Sequence, residues 1–236
     1  MRGHMEIKQF KYSRDNFGYL VFSGKEALAI DAGAVQPMVT FIRENGLELK
    51  YVTNTHLHQD HTSGNQAMLQ KTQAPFLDCK TIKEGQIIPL GKDHLTAILT
   101  PGHTMDSVSF AAGDFLVTGD TLFNGTVGNC FSGDLDAFFK SIKKLTSYPE
   151  KTRIYSGHDY VEDSMKYARI IEKDNPHIDA YLKAYDPEMV VSTLADEFRV
   201  NPYIRFNAPE IIELLRDKGL PAGTELERFK SLMEVY

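Results

Sequence analysis

"NTHLHQDHTSGN", residues Asn54–Asn65, sets three histidines and one aspartate within six positions. The preceding stretch, "LELKYVTNT" (Leu47–Thr55), is apolar and β-branched and reads as a strand feeding the motif. His56 and His58 lie two residues apart, and period-two geometry at a strand end aims both side chains the same way. Asp60 and His61 follow as the chain turns, so they approach the same point from another side. Imidazole nitrogen and carboxylate oxygen suit a borderline divalent metal. A polar surface loop would have the same composition, so the decision rests on the rest of the chain.

Three later stretches repeat one context. "LTPGHTMDS" places His103 after a strand in a Pro-Gly turn. "FLVTGDTLF" puts Asp120, and "RIYSGHDY" puts His158, at a strand end behind a glycine. Sites in α/β folds assemble at one end of their strands. Five of the eight histidines fall in this recurring context or in the opening motif, whereas His4, His94 and His177 do not and read as ordinary residues. Five histidines and two aspartates exceed what one tetrahedral metal takes. They suit two metals about 3.5–4 Å apart with a carboxylate between them.

The order of elements places these strand ends. "FGYLVFS" and "EALAIDAG" read as a hairpin broken at Gly24, Val35–Asn45 as a helix stopped by Gly46, and Asn65–Thr72 as another helix. Strands "QIIPL", "HLTAILT", "SVSFAA" and "FLVTGD", a helix at Leu135–Leu145 and the strand "RIYSGH" complete two alternating blocks. The expectation is an α/β fold, a four-layer αββα sandwich of two sheets with helices outside. Beyond about Tyr160 only helical periodicity remains, which predicts one domain over residues 1–160 and a small helical domain over 161–236, with no further strand.

Composition narrows the function. Apolar residues make up 42 % of the 236, enough for a real core, and no run of about 18 apolar residues predicts a membrane span. A formal charge of -6 with no Lys/Arg run argues against nucleic acid as a partner. Two cysteines, no CxxC and no hydrophobic signal core fit a reducing cytoplasm.

"THLHQDH", "GHT", "GDTLF" and "SGHDY" resemble the metallo-β-lactamase superfamily, and "STLADEFRVNPYIR" (Ser192–Arg205) is similar to the tail of the glyoxalase II branch, the hydroxyacylglutathione hydrolases. The resemblance implies His56, His58 and His103 on one metal, Asp60, His61 and His158 on a second, and Asp120 bridging. It implies zinc first, with iron and manganese as alternatives. It also implies a small-molecule thioester substrate such as S-D-lactoylglutathione, cleaved by a metal-bridging hydroxide that the catalytic Asp60 orients. Asp31, in "AIDAG", matches an aspartate behind the metals and equally reads as a turn residue. The runner-up from the same superfamily is a persulfide dioxygenase with a single iron.

Departures from the family concern the thiol carrier. Glutathione-using members carry Lys and Tyr in the loop after "GDTLF", where this chain has Asn129 and Phe131, while Tyr160 is retained. Gly223 and Leu226 are read at positions where the family places basic residues. Asn129, Phe131 and Tyr160 are therefore the expected substrate contacts, and weak binding of the glutathione part is the expected consequence.

Overall fold

The computed structural model describes residues 5–235. Contacts along the chain divide it into two compact units: the first runs to Leu99 and adds Asp106–Gly119, and the second comprises Thr100–Met105 and everything from Asp120 on.

The first unit opens with β1 (Glu6–Tyr12), β2 (Asn16–Ser23), β3 (Glu26–Ile30), α1 (Val35–Glu44) and β4 (Glu48–Thr53). The short helix α2 (Gln59–Thr62), α3 (Asn65–Thr72) and β5 (Phe76–Leu77) follow. Strands β1 to β5 lie side by side in chain order, antiparallel through β3 and parallel from β3 to β5. Parallel pairing demands a crossover, which α1 supplies between β3 and β4. Met38 and Ile42 of α1 and Met68 of α3 share one core with Leu20, Ala27, Ala29 and Val52 of the sheet. β2 is buried along nearly its whole length, as expected of a strand covered on both faces.

The cover on the other face is an antiparallel meander of β6 (Ile87–Leu90), β7 (Asp93–Leu99), β8 (Val108–Ala112) and β9 (Phe115–Gly119). Ser23 Oγ donates to Asp93 at 2.6 Å and the Gly91 N–H to Glu26 at 2.8 Å, tying the two sheets together.

The second unit holds α4 (Leu135–Leu145), β10 (Arg153–Ser156), α5 (Val161–Ile171), α6 (Ile178–Ala184), β11 (Ser192–Thr193), α7 (Leu194–Val200), α8 (Pro209–Asp217) and α9 (Glu225–Val235). Asp134 caps α4 by accepting from the Ala137 N–H, and Lys143 and Lys144 sit in its last turn, where the helix dipole favours cations. Its buried Phe138 meets Phe229 of α9 edge-on at 5.8 Å, so residues 161–235 include helices packed on α4. The expectation of no strand past residue 160 is corrected: β11 pairs antiparallel with β10 through Ser192 and Thr193. Two residues are too few to leave a periodic signal. Among the described residues, no helix is long and apolar enough to cross a membrane.

Candidate metal centre

In the first unit the ligand-rich turn is built on Asp31. This residue is buried, has a left-handed backbone (φ +51°) and sits at the end of β3. It accepts hydrogen bonds from the Thr55 N–H (2.9 Å), Thr55 Oγ1 (2.7 Å) and Asn54 Nδ2 (3.3 Å). Its Oδ2 also lies 3.0 Å from His61 Nδ1. Of the two readings of Asp31, the structure favours the carboxylate behind a ligand: it holds Nδ1 of His61 and leaves Nε2 to face outward.

Thr55 sets the tautomer of His56 in the same way. Its single hydroxyl proton goes to Asp31, so towards His56 Nδ1, at 3.1 Å, the oxygen accepts. His56 therefore carries its proton on Nδ1 and offers Nε2, which lies 3.0 Å from His58 Nδ1. The two histidines do converge, but not by strand alternation, because β4 stops at Thr53 and both lie in the loop beyond it. His58 stands at the N-cap of α2. Asp60 is anchored by Asn16 Nδ2 to its Oδ2 (2.8 Å) and by Tyr12 Oη to its carbonyl (3.0 Å).

In the second unit Asp120 occupies the junction after β9. Its Oδ2 lies 3.5 Å from His103 Nε2 and 3.4 Å from His158 Nε2. The Asn129 carbonyl, 2.9 Å from His103 Nδ1, accepts its proton and so keeps Nε2 as the free ligand nitrogen. His158 is stacked on Tyr160, rings nearly parallel at 5.0 Å, with Phe123 edge-on to both.

These distances test whether the residues fit a metal. Metal–ligand bonds of about 2.0–2.1 Å at tetrahedral angles put neighbouring donors about 3.3–3.4 Å apart. A good N–H···O bond is shorter, about 2.9 Å. The Asp120–histidine spacings match donors arranged around an ion, and the outward ring nitrogens carry lone pairs. The donor sets fit divalent metal. Thiolate is no part of them: Cys79 is buried, and burial pushes its thiol up to about 12, so it stays protonated at neutral pH.

Glycine is required at one point here. A Cβ on Gly128 would lie 1.9 Å from the Asp120 carbonyl oxygen and 3.1 Å from His103 Nδ1. Gly128→Ala must displace the backbone that positions Asp120. The expected result is a loss of about 10–100-fold in metal affinity, with the protein still folded, read by competition with a chelator. An unchanged metal affinity would show that the loop yields without moving Asp120.

Of the expected substrate contacts, Asn129 and Tyr160 line one cleft, whereas Phe131 is two-thirds exposed and lies edge-on to His103 at 5.2 Å. Gly223 and Leu226 are not in that cleft; the residue of α9 that lines it is Met233. The reading missed Met233 because helical spacing alone does not say which turn of α9 reaches the cleft. Glu197, fully buried in α7, is likewise hidden in the sequence, because a glutamate in a helix normally faces water. His94 and His177 are exposed, and His4 lies outside the described residues.

Comparison with known proteins agrees with this geometry. Residues 15–77 and 77–158 match the model of the metallo-beta-lactamase superfamily, and residues 159–235 that of the hydroxyacylglutathione hydrolase C-terminus. Proteins named hydroxyacylglutathione hydrolase are similar over most of their length. That of Pseudoalteromonas translucida is 31 % identical across 89 % of each chain, and that of Photobacterium profundum is 30 % identical across 97 % of each. Among solved structures, ETHE1 from Myxococcus xanthus superposes with a TM-score of 0.72 at 25 % identity, covering 98 % of this chain and 91 % of its own. A metallo-beta-lactamase from Staphylococcus aureus gives 0.66 at 22 %, covering 100 % and 72 %, and supports the fold alone. The αββα fold expected from the sequence is thus the fold of these neighbours. With two family models meeting end to end along it and a divalent-metal donor set in place, the chain belongs to the metallo-beta-lactamase superfamily and, within it, to the hydroxyacylglutathione hydrolases, a family of thioester hydrolases.

Proposed function

We propose that the protein hydrolyses hydroxyacyl thioesters, with S-D-lactoylglutathione as the reference substrate, at a centre of two divalent ions. His56, His58 and His103 would hold one ion, Asp60, His61 and His158 the other, and Asp120 would serve both. Zinc suits the nitrogen and oxygen donors best, iron and manganese being the alternatives. The observation that carries this reading is the backing of the histidines. Asp31, Thr55 and the Asn129 carbonyl each engage one ring nitrogen and leave the other to ligate. When bound, the ions supply a Lewis acid that yields a nucleophile from water near neutral pH and polarises the thioester carbonyl.

The protein's own groups do the rest. Asp60, fixed by Asn16 through Oδ2, would orient the attacking water from beside the ions. Tyr160, stacked on His158, keeps that imidazole from rotating. The leaving thiol has a pKa of about 8.5, so it departs as thiolate and needs no strong general acid, which accounts for the lack of a spare acid in the donor set. We further propose that residues 161–236 supply the substrate-binding part of the chain.

The test measures metal content and hydrolysis of a small thioester panel on one metal-reconstituted sample. Two ions per chain with turnover of a lactoyl thioester is the expected result. One iron per chain with oxygen uptake would establish the runner-up reading, a mononuclear persulfide dioxygenase, in its place.

A further inference from the structure

The second unit contains a cleft of about 290 Å³ walled by Asn129, Tyr160, Ser164, Tyr167, Tyr203 and Met233. It adjoins His103 and His158, since Tyr160 stacks on His158 and the Asn129 carbonyl holds His103. Among the described residues, neither lysine nor arginine lines it. Its one acid, Asp163, lies at an exposed position and is paired with Lys166 of the same helix at 2.7 Å. On α9, Lys230 is paired with Asp136 at 2.6 Å, and on α4, Lys143 with Glu225 at 3.0 Å, so neither cation is offered to the cleft. The lining offers no cation, is rich in tyrosine, and includes the thioether of Met233.

We propose that this cleft seats the thiol half of the substrate and selects an uncharged amide thiol over an anionic peptide thiol. The inference rests on the thioesterase reading and names the carrier. A carboxylate entering the cleft gives up water and meets no cation, a desolvation cost with nothing to offset it. A neutral amide chain gives up less. Its methylenes cover the tyrosine rings and the adaptable side chain of Met233. Its N–H and C=O groups match the Asn129 amide and the Tyr167 hydroxyl, both able to donate and accept.

The test uses metal-loaded protein and two thioethers that lack a free thiol to ligate the metals, S-methylpantetheine and S-methylglutathione, with binding read by calorimetry. The neutral ligand should bind about tenfold more tightly, the scale of one lost charge-assisted hydrogen bond, and its affinity should not change with salt. Met233→Arg should tighten S-methylglutathione about tenfold and leave the neutral ligand within about twofold. Asn129→Lys, at an exposed position where folding is not at stake, should act in the same direction. Tighter binding of S-methylglutathione by the wild type, no response to either cation, or failure of both ligands to bind would each overturn the proposal. If the neutral ligand binds as expected while the lactoyl thioesters of pantetheine and glutathione are both left unhydrolysed, the cleft assignment stands and the thioesterase reading fails.

Discussion

Asp120→Ala is expected to lower thioester hydrolysis by about a thousandfold or more and to release bound metal with the activity. The carboxylate is 8 % exposed, and its Oδ2 is 3.5 Å and 3.4 Å from two imidazole nitrogens. Alanine leaves those imidazoles side by side with no anion between them. A cation placed there then loses an anionic ligand, and its affinity falls. Asp120→Asn separates shape from charge. It fills the same space with a neutral amide, so it should keep the fold and lose most of the metal. Stability of the metal-free protein is the second readout. Removing a buried carboxylate that serves chiefly to hold metal should change it by no more than about 1 kcal/mol. An Asp120→Ala protein with two ions and full turnover would sink the two-metal reading. One that loses activity only because it unfolds would make Asp120 a structural residue.

The candidate donors are legible in the sequence because ligand chemistry is local: a histidine or aspartate behind a glycine at a strand end can be read from a few residues. What holds them is not local. Asp31 reaches His61 across 30 residues and Thr55 across 24, and no spacing rule predicts such a meeting. His56 and His58 were grouped correctly for the wrong reason, since the Asp31–Thr55 network and not a continuing strand brings them together. β1 gives no clear alternation because Glu6, Lys8, Gln9 and Lys11 leave only Ile7, Phe10 and Tyr12 as apolar or aromatic residues, charge on an edge strand discouraging association. α7 could have been found. Thr193 and Asp196 form a reciprocal capping box, a signature visible as Thr-x-x-Asp before the helix. Which turn of α9 reaches the cleft beside Asn129 and Tyr160 is set by packing: Met233 lines it, and Gly223 and Leu226 do not.

Glu197 is where the tail grips the loops that carry Asp120 and His158, and its removal should be the most destabilising single change in residues 161–235. Its side chain is fully buried and accepts four hydrogen bonds. Tyr181 Oη (2.9 Å) and Ser192 Oγ (2.7 Å) donate to Oε1, and the Gly125 N–H (2.9 Å) and Asn201 Nδ2 (2.9 Å) to Oε2. The network continues from Ser192 to Asn124 and from Asn124 to Ser156, whose hydroxyl also reaches the His158 carbonyl. One carboxylate thus fixes both the loop after Asp120 and the turn carrying His158. Glu197→Ala orphans four buried donors and should cost about 3 kcal/mol or more, a fall of about 6–12 °C in Tm for a chain of this size. Glu197→Gln keeps the shape, and the hydroxyls of Ser192 and Tyr181 can turn to accept from its amide, so its cost should be smaller. The pair also has a pH signature. Burial raises the Glu197 carboxyl above its ordinary 4.5, with the four donors pulling it back in part. A carboxyl raised on folding contributes stability that is full below its unfolded pKa and is lost as pH climbs through the folded one. The advantage of Glu197 over Gln should therefore be greatest at about pH 4 and shrink towards neutrality, as followed by Tm across that range. If the advantage grows as pH rises, the four donors outweigh burial and the folded carboxyl is held below its ordinary value instead.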